Sequence, residues 1–176
     1  ELEAHKALLQ KRSAGGRVRL CHGDLHLKNI VMLNDRPLLF DAIEFDDRLA
    51  TIDVLYDLAF LLMDLWHRDL TRHANLCFGT YASAGMPADD LDGLALLPLF
   101  MTARSTIRAM VILDKVSVAG PDKADPDAEA SFESYIALAE ALLSPAPPML
   151  LAVGGLSGTG KSTLAAVLAP SLGRPP

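Results

Sequence analysis

The distribution of apolar residues predicts a short β region in the first quarter of the chain. Residues 17–21 alternate weakly and are β-prone, and the apolar runs 29–33 and 38–40 flank the turn-forming sequence at 34–37. This pattern predicts a strand, then a loop, then a β-hairpin whose second strand ends at Asp41.

Apolar residues at helical spacing predict a mainly helical region after the hairpin. The predicted helices cover residues 55–70, 71–84, 94–118 and 127–143. The proline-rich sequence 144–148 interrupts the pattern and predicts a short, stiff linker, which we take as a domain boundary. Beyond it, residues 150–153 predict a buried strand and residues 162–169 a helix.

Composition and charge restrict the classes of protein that fit this pattern. Of the 176 residues, 51% are hydrophobic, so the chain can form a substantial core, and because only 6% are aromatic, that core is aliphatic. A net charge of −6 without a basic stripe argues against nucleic acid as the main partner. We see neither a signal peptide nor an uninterrupted apolar span of membrane length, and we expect a cytoplasmic protein with no membrane partner.

The cysteines and the isolated histidines give no sign of a metal site or a disulfide framework. Cys21 and Cys77 lie far apart without metal-ligand spacing, and we expect Cys21 to be a small buried residue. His67 and His73 lack a partner at ligand spacing, so we expect them at surface positions of helices.

The loop after the first strand carries polar residues spaced for phosphoryl transfer. It reads His-Gly-Asp-Leu-His-Leu-Lys-Asn over residues 22–29, and Asp41 follows the next apolar run. In-line transfer from a nucleotide needs a carboxylate to accept a hydroxyl proton and oxygen ligands to hold Mg²⁺ against the phosphates. Asp24, Asn29 and Asp41 supply these groups and are expected to converge at one end of the small sheet. The alternative, an ordinary loop acid and a turn asparagine, is disfavoured by the joint spacing.

The sequence His-Gly-Asp-x-x-x-x-Asn resembles the catalytic loop of the aminoglycoside phosphotransferase and choline kinase group, relatives of the protein kinases. The resemblance implies Asp24 as catalytic base, Asn29 and Asp41 as Mg²⁺ ligands, and His22 as the residue that fixes the loop. Protein kinases usually carry Lys two residues after the base, and this chain has His26 there, which favours a small-molecule kinase. His26 could either donate to a phosphate oxygen or fill the loop.

The resemblance extends over roughly residues 1–143 and includes Asp57. In the family, an Asp at this position braces the catalytic loop. An Asp in the first turn of any helix is also stabilised by the helix dipole, so a purely structural role explains Asp57 at least equally well.

A second phosphate-binding signature lies near the other end of the chain. Residues 155–162 read Gly-Leu-Ser-Gly-Thr-Gly-Lys-Ser, a complete P-loop between a predicted strand and a predicted helix. Its backbone N–H groups can surround phosphate oxygens, its lysine adds a charge near the terminal phosphates, and the hydroxyl of Ser162 can reach Mg²⁺. The predicted nucleotide-binding residues are Gly155, Ser157, Gly158, Thr159, Gly160, Lys161, Ser162 and Thr163.

Two groups of charged residues could shape the groove for the phosphate acceptor. Glu44, Asp46 and Asp47 could bind a cationic acceptor such as an amino sugar, although a solvated acidic turn is the favoured interpretation. Arg104 and Arg108, one helical turn apart, could meet an anion or an acidic helix face, and the acidic face is favoured.

The predicted fold class is α+β with two domains. Residues 1–143 are expected to form a mainly helical, kinase-like C-terminal lobe with a small catalytic hairpin, and residues 149–176 the first strand, loop and helix of an incomplete α/β P-loop domain. Because the remaining parts of both nucleotide sites are missing, we expect an internal, inert segment of a longer polypeptide. The order of domains resembles a bacterial bifunctional family in which an aminoglycoside phosphotransferase-like domain precedes a P-loop kinase-like domain.

Two functions are compatible with these motifs. The first is an ATP- and Mg²⁺-dependent phosphotransferase that acts on a small-molecule hydroxyl and carries an additional P-loop domain. The alternative is a regulatory protein that binds ATP or GTP and whose kinase-like half is a non-catalytic sensing or docking module. An intact Asp24 argues against the second.

Overall fold

The computed structural model describes residues 2–84, 86–119, 126–144 and 151–168, which form a mainly helical fold with two small sheets. In chain order the helices and strands are α1 (Leu2–Ala14), β1 (Val18–Leu20), β2 (Ile30–Leu33), β3 (Arg36–Leu39), α2 (Asp47–Ala50), β4 (Thr51–Asp53), α3 (Val54–His67), α4 (Thr71–Ser83), α5 (Ala88–Leu91), α6 (Leu97–Ala119), α7 (Ala128–Leu143) and α8 (Lys161–Leu168). Two 3-10 turns, Leu27–Asn29 and Asp92–Leu96, precede β2 and α6. This content agrees with the predicted α+β class for the kinase-like lobe.

Both sheets consist of two antiparallel strands. β1 pairs with β4, and β2 pairs with β3 in a register that places Ile30 opposite Leu39 and Leu33 opposite Arg36. The hairpin turn is the dipeptide Asn34-Asp35, whose φ angles of 50° and 59° are those of a tight two-residue turn. The hairpin therefore brings the residues just before β2 next to the residues just after β3.

The hairpin differs from the prediction at the start of both strands and at the end of the second. The second strand stops at Leu39 and not at Asp41, because the chain turns to a left-handed φ at Asp41. The predicted four-residue turn is shorter, because Arg36 and Pro37 belong to β3. Each strand of a two-stranded sheet keeps one unpaired side, so a residue without an N–H group is tolerated there. Asn29, predicted to open the strand, instead ends the 3-10 turn that precedes β2.

The four helices predicted between residues 55 and 143 are confirmed, with ends shifted by a few residues. α3 stops at His67, because Asp69 takes a left-handed φ of 59°. The third predicted helix divides into a 3-10 turn and α6. These helices form the core through fully buried side chains, the largest of which include Leu55, Met63, Leu96, Leu97 and Met101.

The expectation that no uninterrupted apolar span of membrane length is present concerns α6, whose apolar sequence is interrupted by Arg104 and Arg108. The stretch Asp92–Val118 is long and apolar enough to cross a membrane when judged by length and composition alone. In this fold α6 packs against α3 and α7, and the hydroxyl of buried Ser105 donates to the carbonyl oxygen of Tyr135 at 2.7 Å. Packing against α3 and α7 accounts for the buried apolar side chains of α6, whereas Ile107, Met110 and Leu113 are exposed.

α1 and β4, which the sequence analysis does not predict, are joined by a buried ion network. The guanidinium of Arg12, 3% exposed, lies 2.6 Å from Asp53 Oδ2 and 2.7 Å from Asp90 Oδ1. Gly93 packs directly on that guanidinium, where a Cβ atom would collide with it. Arg12 therefore fastens α1 to β4 and α5.

The part of the chain that carries the P-loop sequence departs from its prediction at the strand. Residues 151–155 form no strand, since no described strand lies beside them to supply hydrogen bonds. The predicted helix is present as α8 and begins at Lys161. Residues 145–150 and 169–176, which include most of the predicted linker, lie outside the described residues.

Candidate active site

The loop that carries Asp24 is held at its start by an acid of α3. Asp57 accepts hydrogen bonds from the backbone N–H of His22 at 3.1 Å and from that of Gly23 at 2.9 Å. Gly23 has a left-handed φ of 81°, and a Cβ atom there would lie 2.9 Å from Cδ1 of Ile43. The loop geometry at this point therefore requires glycine.

A second acid of α3, not found by sequence reasoning, holds the far end of the same loop. Asp64, only 2% exposed, accepts a hydrogen bond from the backbone N–H of Leu27 at 2.9 Å. It follows Asp57 by seven residues, two helical turns, and so lies on the same face of α3. The signal in the sequence that could have identified Asp64 is a single acid in an apolar helical run, two turns after Asp57.

Asp24 lies at the centre of the loop with polar partners on two sides. The side-chain amide of Asn29 donates from Nδ2 to Asp24 Oδ2 and to the Asp24 carbonyl oxygen, each at 3.0 Å. Nε2 of His26 lies 3.3 Å from Asp24 Oδ2. The hydrogen bond from His26, and to a lesser extent that from Asn29, lowers the pKa of Asp24, which is therefore ionised at neutral pH.

His26 packs inside the loop, with its proton directed at Asp24. Its Nδ1 accepts a hydrogen bond from the backbone N–H of Lys28 at 3.2 Å, so the ring proton is on Nε2. The ring is 7% exposed, and its edge contacts Phe60 of α3 at a centroid distance of 5.2 Å. Phe60 lies between Asp57 and Asp64, so one face of α3 supports the whole loop.

Asn29 connects the loop to the hairpin and keeps one oxygen available. Both hydrogens of its amide group point at Asp24, which leaves Oδ1 as an acceptor. Its backbone N–H donates to the carbonyl oxygen of His26 at 2.9 Å, and its own carbonyl oxygen accepts from Phe40 N–H at 3.1 Å. The side chain is thereby held between the loop and the end of β3.

Asp41 follows β3 in a segment that two hydrogen bonds tie to His22. Nε2 of His22 donates to the carbonyl oxygen of Phe40 at 2.9 Å, and the N–H of Ile43 donates to the carbonyl oxygen of His22 at 2.9 Å. Asp41 itself is exposed and has a left-handed φ of 59°. Such a conformation is uncommon for a residue other than glycine and is often found at functional sites. The predicted acid thus lies beside the loop.

The two side chains predicted to bind metal, Asn29 and Asp41, offer few oxygen ligands, which suits Mg²⁺ better than a metal whose ligands all come from the protein. Among the described residues, no group of three or more His, Cys, Asp or Glu side chains could hold a metal ion. The available set is Oδ1 of Asn29 and the carboxylate of Asp41. Mg²⁺ commonly keeps water and phosphate oxygens as its remaining ligands, so this small oxygen set fits it.

The two arginines of α6 do not meet an acidic helix face, in contrast to the favoured prediction. Arg104 stacks on Tyr56, with its Cζ 3.9 Å from the ring centroid, and its Nε donates to the Tyr56 carbonyl oxygen at 3.4 Å. Burial lowers the pKa of Arg104. Arg108, half-buried, lies with its Cζ 6.0 Å from the ring centroid of Tyr135. Within the described part of the chain, neither forms an ion pair with a carboxylate.

The acidic residues after Asp41 are largely occupied by local structure. Asp46 caps α2 through the backbone N–H of Arg48 at 3.0 Å and pairs with the Arg48 guanidinium at 2.8 Å. These bonds lower the pKa of Asp46. Asp47 is the first residue of α2, and Glu44 is exposed. This arrangement is that of a solvated acidic turn, the favoured interpretation.

The P-loop residues form a compact turn before α8. Gly158 and Gly160 have left-handed φ angles of 79° and 77°. The hydroxyl of Thr159 donates to the carbonyl oxygen of Leu156 at 2.8 Å, and Nζ of Lys161 donates to the same oxygen. The other residues predicted to bind nucleotide lie in this turn or in the first turn of the helix: Gly155, Ser157, Ser162 and Thr163.

One of the isolated histidines differs from its expected surface position. His67 stacks on Tyr135 with the rings 3.7 Å apart, and its Nε2 lies 2.7 Å from the Ser134 hydroxyl. Burial lowers its pKa. His73 is exposed, as expected, and Cys21 is half-buried, with its thiol 3.6 Å from the carbonyl oxygen of Ile52.

Comparison with protein families agrees with this geometry. Residues 1–97 match the model of the phosphotransferase enzyme family, and the matched region contains the loop, Asp41 and Asp57. The chain therefore belongs to the phosphotransferase enzyme family. This confirms the aminoglycoside phosphotransferase-like, kinase-fold interpretation for the matched residues. Kinases of this family typically use ATP and a divalent metal.

Relatives among curated proteins extend the similarity beyond the first 97 residues. The chain is 33% identical over 154 residues to an uncharacterized protein of Mycobacterium bovis and to uncharacterized proteins of two strains of Mycobacterium tuberculosis. The aligned region covers 86% of this chain and 29% of each relative, so the chain spans less than a third of the length of the relatives it matches. No solved structure matches the chain.

Proposed function

We propose that the chain forms the acceptor side of an ATP- and Mg²⁺-dependent phosphotransferase that transfers a phosphoryl group to a hydroxyl of a small molecule. The observation that carries this proposal is the position of Asp24, an ionised carboxylate held by His26 and Asn29 within a loop of the phosphotransferase family. The acceptor hydroxyl needs such a group to take its proton as the phosphoryl group arrives.

Each polar residue of the loop has a distinct task in this proposal. Asp24 accepts the hydroxyl proton, and because Asn29 already donates to Oδ2, with His26 also beside that atom, the other oxygen, Oδ1, is the natural acceptor. Asn29 holds Asp24 with its amide hydrogens and would hold Mg²⁺ with Oδ1, together with Asp41. When bound, the ion neutralises charge on the nucleotide phosphates.

The remaining residues act through position. Asp57 and Asp64 hold the two ends of the loop on α3, and His22 fixes the segment that carries Asp41. Precise placement matters because phosphoryl transfer depends mainly on positioning and electrostatic stabilisation.

The proposal also assigns residues 149–176 to the start of a second, P-loop nucleotide-binding domain, separated from residues 1–143 by a linker at 144–148. Two observations support it: the P-loop sequence, and the exposed apolar side chains Leu164 and Val167 on α8, which a neighbouring parallel sheet would cover. Lys161 and Ser162 would contact the phosphates and Mg²⁺ of that second site. A cytoplasmic location, and no nucleic-acid or membrane partner, complete the proposal.

The test is ATP turnover by the full-length protein, measured with Mg²⁺ over a panel of alcohols, amino sugars and nucleosides. Wild type is compared with Asp24→Asn, which removes the base, and with Lys161→Ala, which removes the P-loop charge. Asp35→Asn is the matched control, because Asp35 is an exposed acid of the nearby hairpin turn and Asn also tolerates its left-handed backbone.

The outcomes separate the two functions. The phosphotransferase is supported if an acceptor stimulates turnover in wild type and in Asp35→Asn, and if the stimulated rate is roughly 100-fold lower or more in Asp24→Asn. If Asp24→Asn leaves turnover unchanged and Lys161→Ala abolishes it, the kinase-like half is a regulatory module that does not catalyse transfer.

A further inference from the structure

We propose that Arg104 and Arg108 form an anion-binding subsite beside Asp24, and that the phosphate acceptor therefore carries a carboxylate or phosphate group in addition to its hydroxyl. The inference rests on the proposed function, because it names the class of acceptor for that reaction.

The first observation is one nitrogen of the Arg104 guanidinium, Nη2, that lacks a hydrogen-bond partner in the described part of the chain. The residue is only 7% exposed, yet its Nη2 atom has no hydrogen-bond partner among the described residues. A buried charged donor without a partner is costly, and proteins normally supply one. The guanidinium also contacts the rings of Tyr56 and Phe60, with Cζ 3.9 Å and 4.7 Å from their centroids, and these contacts use its π face and not its N–H groups.

The second observation is the position of this guanidinium. Phe60 contacts Arg104 on one side and His26 on the other, and His26 contacts Asp24 at 3.3 Å. The charges of Arg104 and Arg108 both reach Asp24 electrostatically. Arg104 is therefore connected to Asp24 through the contacts of Phe60 and His26, and Arg108 lies one helical turn further along α6.

The third observation is that two like charges lie one turn apart on the same helix. They lie four residues apart on α6, and like charges at this spacing destabilise a helix. No described carboxylate pairs with either one to offset that repulsion. A ligand anion between them supplies the missing charge, and the planar fork of arginine suits a carboxylate or a phosphate.

Two alternatives fit the site less well. A cationic acceptor would need free acids, but Asp46 is already paired with Arg48. Nucleotide phosphates are expected beside Asn29 and Asp41, which adjoin the hairpin, whereas Arg104 and Arg108 belong to a helix that packs on α3. The arginines thus approach Asp24 from the helical side, and we assign them to the acceptor.

A set of four three-carbon probes tests the charge preference. Glycerol 3-phosphate, D-glycerate, glycerol and 3-amino-1,2-propanediol share a skeleton and hydroxyls but differ in charge. Binding of each to the full-length protein is measured calorimetrically without nucleotide, and binding of MgATP in parallel. Two variants change the proposed subsite: Arg108→Gln removes a charge, and Arg104→Lys keeps the buried charge and so guards against misfolding. The control is Lys115→Gln, which removes an exposed cation from the same helix.

We expect the two anions to bind roughly 10- to 100-fold more tightly than glycerol or the amine, the range for one or two hydrogen bonds to charged groups. Arg108→Gln should lower the affinity for the two anions only, by about tenfold. Arg104→Lys should lower that affinity less, and Lys115→Gln should leave all affinities unchanged. Equal affinity for all four probes, including no measurable binding of any, overturns the inference. The inference is also overturned if Arg108→Gln lowers the affinity for MgATP and leaves the affinity for the two anions unchanged.

Phosphoryl transfer to the same probes separates this inference from the proposed function. If the anions bind through the arginines but no probe is phosphorylated, the subsite stands and the transfer reaction on such acceptors fails. If glycerol and the amine are phosphorylated as well as the anions, with Arg108→Gln unaffected, the phosphotransferase stands and the anionic acceptor is refuted.

Discussion

The imidazole of His22 donates from Nε2 to the carbonyl oxygen of Phe40, 2.9 Å away, and so fixes the backbone one residue before Asp41. The same residue accepts the N–H of Ile43 at its own carbonyl oxygen. Asp41 is thus bracketed by two hydrogen bonds to the loop that carries Asp24. Loop and hairpin form one unit, and the position of Asp41 relative to Asp24 depends on the side chain of His22.

His22→Ala should weaken the response of turnover to Mg²⁺ more than it affects the fold. Loss of the Phe40 hydrogen bond frees the Asp41 segment, and residues that orient metal ligands typically contribute 10- to 100-fold to metal affinity. We expect the Mg²⁺ concentration for half-maximal turnover to rise roughly tenfold, with a smaller rise in His22→Gln, whose amide can replace Nε2. An unchanged Mg²⁺ dependence in His22→Ala would contradict the proposed position of Asp41.

Asp57 and Asp64 should protect different backbone amides from hydrogen exchange. Replacing Asp57 with Ala leaves the N–H groups of His22 and Gly23 without their acceptor, and replacing Asp64 does the same to Leu27. Each unsatisfied group costs about 1–3 kcal/mol. Exchange measured by NMR should therefore accelerate at residues 22 and 23 in one variant and at residue 27 in the other. Asp114→Ala, an exposed acid of α6, is the control, and acceleration at all three amides in both variants would show general loosening instead.

Gly23→Ala should be destabilising, whereas the same change at Gly79 should be neutral or stabilising. Alanine at position 23 must adopt a φ of 81° and push Cδ1 of Ile43 away, at a cost of about 1–3 kcal/mol. Gly79 lies within α4 with nothing near its missing Cβ, and helix propensity favours alanine there by about 0.5–1 kcal/mol. Urea unfolding curves of the two variants would compare these effects directly, and equal midpoints would refute the strain at position 23.

Stability should fall with acidification because of His67. Burial holds its pKa below the ordinary 6.5, so between pH 6.5 and the lower folded-state pKa the unfolded chain binds a proton that the folded chain does not. Stability from this residue is complete above pH 6.5 and declines as the pH falls through that window. In His67→Gln the decline should be smaller, with a free energy of unfolding that varies less between pH 7.5 and 5. A parallel pH dependence in both proteins would exclude His67 as the source.

The parts of the site that sequence reasoning found are those that lie close together along the chain. Residues 22–29 form one loop, so the spacing of Asp24 and Asn29 is already visible in the sequence, and the hairpin returns Asp41 to it. The role of Asp64 was missed, and an acidic helix face was wrongly favoured as the partner of Arg104, because both depend on which faces of α3 and α6 point at the loop. That information lies in tertiary packing, which a single sequence does not display.

The elements that were missed lack a periodic signal for a physical reason. β4 has three residues, too few for an alternating pattern. α1 buries only Arg12, so its apolar residues do not form a stripe that could be recognised. Leu8 and Leu9 pack against the core but are only partly buried, so α1 leaves little for hydrophobic periodicity to detect.

The same ion network has a consequence for the order in which the molecule folds. Arg12 is joined to Asp53 and Asp90, which follow it by 41 and 78 residues, and a buried guanidinium is stabilised only when both carboxylates surround it. Contacts so distant in sequence close long loops and tend to form after local ones. α1, though synthesised before the catalytic loop, is therefore expected to dock late, after α3 and the segment containing Asp90 are in place.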